Sequence, residues 1–65
     1  MSRARITDLR DQLARIADEL GEAGLDVLRQ AVADGARSRP AEERALAQAR
    51  RAVEKAVGVL GPHAD

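Results

Sequence analysis

Five large aliphatic residues near the start of the chain, Ile6, Leu9, Leu13, Ile16 and Leu20, are separated by three, four, three and four positions. That spacing brings side chains back to one side of an α-helix, and it is the a/d pattern by which one helix lays an apolar seam along another. A second, thinner seam follows at Leu46, Ala49, Val53, Val57 (with Ala56) and Leu60. The expected fold class is all-α.

Composition limits how much these helices can bury. Fourteen of the 65 residues are Ala and fourteen are Val, Ile or Leu, while Phe, Tyr and Trp are absent. A chain this short, without aromatic bulk, has a thin core. It has no cysteine for a disulfide, and its one His cannot hold a structural zinc without several carboxylate partners. Self-association is then the usual remaining remedy for a small domain, which points to a homodimer.

Local signals divide the chain. Ser2 or Thr7 is the candidate N-cap of the first helix, and the sequence does not choose between them. Gly24 opens two readings. It ends the helix in a Schellman turn, with Leu25 against Leu20, or it is tolerated inside one long helix of about residues 4–34. The continuous or merely kinked helix is preferred, because nothing polar or proline-like forces a turn there. Residues 35–39 read as the loop. Arg39 is expected as the N-cap of the last helix and Pro40 as its first residue, with Glu42 and Glu43 complementing the dipole. That helix runs to residue 60 and stops at Gly61-Pro62, leaving 62–65 as a flexible tail.

The whole reads as a single helical domain over residues 1–61. Its architecture is a helical hairpin that dimerises into a four-helix bundle, with a three-helix bundle as the alternative. A last helix of about 30 Å would leave one end of a ~45 Å first helix uncovered, a gap that a second copy fills. Ala45, Ala49, Ala52 and Ala56 form a small-residue stripe against which the Leu and Ile ridge of the first helix is expected to sit.

Charge sums to zero but is segregated: residues 3–15 carry +2, residues 18–26 carry −4 and residues 29–39 carry +2. Two copies of the first helix would pair well antiparallel, an isologous contact. Zero net charge argues against nucleic acid as a partner. No apolar run approaches the ~18 residues of a membrane span and no signal-peptide core follows Met1, so a cytoplasmic protein is expected. Ten Arg against one Lys, among many Ala, suggests a GC-rich bacterial genome.

Chemistry is scarce. His63 lies in the tail, and Ser2, Thr7 and Ser38 have no base at plausible spacing for nucleophilic catalysis. Asp18 and Glu22 sit one turn apart, too few oxygens for a divalent cation. The stretch from Ile6 to Leu20 resembles the opening of helical chorismate mutases, which implies a substrate-binding role for Arg10. The acidic positions beside the buried face are Ala14 and Ala17 here, and the length falls short of that family's three helices. The resemblance is therefore not adopted, and no enzyme, cofactor or metal is expected.

The expected function is a non-enzymatic interaction module. It binds itself or a partner's helix through a seam of Ile6, Leu9, Leu13, Ile16, Leu20, Val27, Leu28, Leu46, Val53, Val57 and Leu60. One alternative is a small nucleic-acid-binding regulator using Arg29, Arg37, Arg39 and Arg44 around the loop. The other is an accessory subunit of a larger complex.

Overall fold

Ser2 settles the first boundary: its Oγ accepts the Arg5 amide hydrogen at 3.2 Å, and its carbonyl accepts the amides of Arg5 and Ile6. A serine N-cap satisfies donors that the first helical turn leaves unpaired. From there, in a computed structural model that describes residues 2–65, α1 (Arg3–Ala33) runs without interruption through Gly21 and Gly24. The three-helix alternative is thereby overturned. The Schellman ending occurs instead at Gly35, whose φ is 81°. There the Gly35 amide donates to Val32 at 3.0 Å and the Ala36 amide to Ala31 at 2.9 Å. Only a residue without a Cβ takes this left-handed position cheaply.

α2 (Ala41–Leu60) starts one residue later than the sequence reading. Pro40 is itself the N-cap, with ψ 151°, and its carbonyl accepts the Arg44 amide at 3.2 Å. A proline cap has no side chain to offer the first turn, so neighbouring groups secure it. The Arg44 guanidinium donates to the Arg39 carbonyl at 2.6 Å, and the Arg39 guanidinium bonds the Glu43 carboxylate.

Residues 62–65 are not a free tail. A 3-10 turn (Gly61–His63) continues α2, and the Asp65 amide donates to Thr7 Oγ1 at 2.7 Å. Thr7, the rival cap candidate, thus serves the far end of the chain. The two helices pack antiparallel, with Leu46 against Gly24, Arg50 over Gly21 and Asp65 at Thr7. This register runs α2 and the 3-10 turn along nearly the whole of α1, so the expected uncovered end does not exist.

The product is a rod of 50 × 13 × 13 Å. Its radius of gyration, 15.1 Å, exceeds the ~11 Å of a compact chain of 65 residues. A rod two helices thick has no interior beyond the line where the helices touch. On that line the buried residues are small: Ala17, 4% exposed, and Gly24. The close approach therefore belongs to α1, and the Ala45–Ala56 stripe of α2 is not its seat, for Ala45 and Ala52 are exposed.

Candidate functional site

The line of α1 facing α2 follows Ile6, Arg10, Leu13, Ala17, Leu20, Gly24, Val27 and Ala31, at gaps of four and three, each buried or half-buried. This is the same 3.5-residue period as the aliphatic seam, displaced by about one residue. On the α2 side the line passes Glu43, Leu46, Arg50, Val53, Val57 and Leu60. The intramolecular contact thus includes two guanidiniums and a carboxylate. Arg10 spends its charge locally, donating from Nε and Nη2 to Asp11 at 3.2 and 3.1 Å. Arg50 pairs with Glu54 at 3.6 Å and lies across Gly21, where a Cβ would meet its Nη1 at 2.5 Å.

The two flanks of this line differ. One is a groove of mixed character, lined on α1 by Asp18, Leu20, Gly21, Glu22, Gly24, Leu25 and Leu28 and on α2 by Glu43, Ala47 and Arg50. Helix periodicity puts Leu9, Ile16, Ala23 and Val27 on the opposite flank of α1. By the same rule Leu46, Ala49, Val53, Ala56 and Leu60 lie on the opposite flank of α2. Taken with Leu13 and Leu20, these form runs of 9, 13, 16, 20, 23, 27 and 46, 49, 53, 56, 60. Both are spaced as a/d seams and every member is apolar.

Ten of the eleven seam residues expected from sequence are only half-buried in the hairpin, and Ile16 is 44% exposed. Three do not belong to the apolar flank: Ile6 begins the inner line, Leu28 lines the groove, and Val57 sits on the inner line beside Ala14, Ala17 and Glu54. Sequence reasoning missed Ala23 and placed little weight on Ala49 and Ala56, because bulk rather than position guided the choice. Val59, 63% exposed, lies further round α2.

The arginines of the loop are mostly engaged. Arg29 pairs with Asp26 at 3.7 Å, Arg39 with Glu43, and Arg44 with the Arg39 carbonyl. Arg37 makes no bond among the described residues. The hydrogen bond from Arg39 holds the Glu43 carboxyl below its ordinary value, partly offset by burial and aided by the charges of Arg39 and Arg44. The same bond raises Arg39. Among the described residues no three His, Cys, Asp or Glu side chains gather as a metal site, and no helix is long and apolar enough to cross a membrane.

No family model, curated protein or solved structure matches this chain.

Proposed function

We propose that the chain is a helical interaction module whose apolar flank binds another helical surface, most simply a second copy, to complete a four-helix bundle. The observation that carries this reading is the pair of seams on each helix. A helix in a two-helix hairpin needs one apolar line; a helix in a four-helix bundle touches two neighbours and needs two adjacent ones. On α1 the lines share Leu13, Leu20 and Val27, and on α2 they share Leu46, Val53 and Leu60. Shared positions are those that point at a bundle axis.

Area supports the same reading. The hairpin exposes 4825 Å², whereas a folded monomer of 7.0 kDa exposes about 4,000 Å². The surplus is close to the ~800 Å² that each partner buries in a standard interface.

The test is Ile16→Asp, followed by sedimentation equilibrium and far-UV circular dichroism over a hundredfold concentration range. Ile16 contributes little to the hairpin itself, so the variant should retain what helix a monomer can hold while losing assembly. Leu13→Asp, which strikes both lines, should lose assembly and helix together. An Ile16→Asp variant that assembles like the parent would refute the flank as the interface. The alternative of an anion-binding loop has less behind it, since only Arg37 is unengaged among the four arginines.

A further inference from the structure

Resting on that reading, we infer that the occupant of the apolar flank is a second copy of this chain, laid face to face and antiparallel, with its twofold axis passing level with Leu20 and Val53. In this arrangement each α1 packs on the partner's α1 and each α2 on the partner's α2.

The seams are self-complementary about that level. The register of the hairpin, with Leu46 against Gly24 and Asp65 at Thr7, sets Leu60, Val53 and Leu46 within about one helical turn of Leu13, Leu20 and Val27, in three layers. Rotation about the middle layer places Leu13 against Val27 of the other copy and Leu46 against its Leu60, large on large at both ends. Ile16, the most exposed member of the flank, falls against the other copy's Ala23, so a projecting side chain meets a small one. On α2 the intervening positions are Ala49 and Ala56, which face Ala56 and Ala49 of the other copy. Small residues on both sides let α2 approach its mate near the lower end of the 8–10 Å range.

Away from the axis, charge agrees with the rotation; beside the axis Glu19, next to Leu20, faces its own mate. The α2 positions on this flank carry none between Glu42 and His63, because Arg44, Arg51 and Lys55 all lie towards the groove side. Beside the α1 seam, the rotation brings Arg5 within one residue of the level of Asp34 of the other copy and Arg15 within one residue of the level of its Asp26. A parallel arrangement of the two α1 helices would set like against like. The pairing also suits the area: one flank per copy is a single isologous patch.

The position that tests the axis is Ala52, exposed in the hairpin and next to Val53. Near a twofold axis a residue meets its own mate, so Ala52→Cys treated with a short bismaleimide should give covalent dimer as the main product at micromolar chain concentration. Arg51→Cys, one residue earlier but towards the groove side, should give at least tenfold less. Sedimentation equilibrium of the unmodified chain, run alongside, should give twice 7.0 kDa. A dimeric mass with no preference for Ala52→Cys would overturn the antiparallel face-to-face arrangement and leave self-association standing. A chain that stays monomeric and helical at every concentration would overturn both. Because Ala52 is exposed and cysteine is small, loss of fold is not a competing outcome, and circular dichroism of the variant checks it.

Discussion

A methyl group added at Gly24 would stand 3.8 Å from the Cβ of Leu46, an ordinary van der Waals distance. Glycine inside a helix costs roughly 1 kcal/mol relative to alanine. Gly24→Ala should therefore stabilise the hairpin by about 0.5–1 kcal/mol in urea unfolding. Gly35→Ala should do the opposite, because its φ of 81° closes the Schellman ending and a Cβ there costs about 1 kcal/mol or more. A destabilised Gly24→Ala would mean that the helices cannot admit even the space the structure leaves between them. Glu43 gives a second expectation. Its carboxyl is held below the usual value near 4.5 by the hydrogen bond from Arg39. A depressed folded-state value means stability that is fully present above that usual value and is lost as pH falls through the folded value. Glu43→Gln should thus melt below the parent at neutral pH, and the two should converge in acid. A gap that persists unchanged below pH 4.5 would exclude ionisation as its source.

At the scale of the element, the helices were legible and their facing was not. Signals for boundaries are local: a serine cap, a glycine with a left-handed φ, a proline before two glutamates. Each acts within a turn of itself, so Gly35 and Pro40 could be read to within a residue. Continuity through Gly21 and Gly24 was the preferred of two open readings, since no polar run or proline breaks the period there. Which line of α1 meets α2 depends on something else. Two lines of the same period lie one residue apart, one rich in large side chains and one containing Ala17 and Gly24. The hairpin closes along the smaller one, where backbones come nearest. A reading by bulk alone chooses the other line. The end of the chain was misread for a related reason. Gly61-Pro62 stops a regular helix, but a single 3-10 turn tolerates proline at its start, and the Thr7 hydroxyl that receives Asp65 is 58 residues away in sequence. No local pattern encodes such a bond.

For the molecule as a whole, the segregated charge gains a role only if two copies meet. Within one hairpin the acidic stretch of residues 18–26 has few basic neighbours: Arg29 reaches Asp26 at 3.7 Å with both side chains well exposed, and Arg50 turns to Glu54. Antiparallel pairing sets Arg15 of each copy near Asp26 of the other, twice per dimer by symmetry. An exposed ion pair contributes about 0.2–1 kcal/mol, so two of them are too weak to hold the dimer but strong enough to favour one orientation. Arg15→Glu turns two attractions into two repulsions and should weaken self-association roughly 3- to 10-fold at low salt. Asp26→Arg should do the same by placing arginine against arginine. Combining the two substitutions reverses both partners at once, and the dimerisation constant should return to within about twofold of the parent. Added salt should shrink all three differences together, because charges this exposed are screened within about 10 Å at 0.1 M. If the double variant is as weak as the sum of the single ones, Arg15 and Asp26 do not face each other. In that case the apolar flank is paired in some other orientation than the antiparallel one.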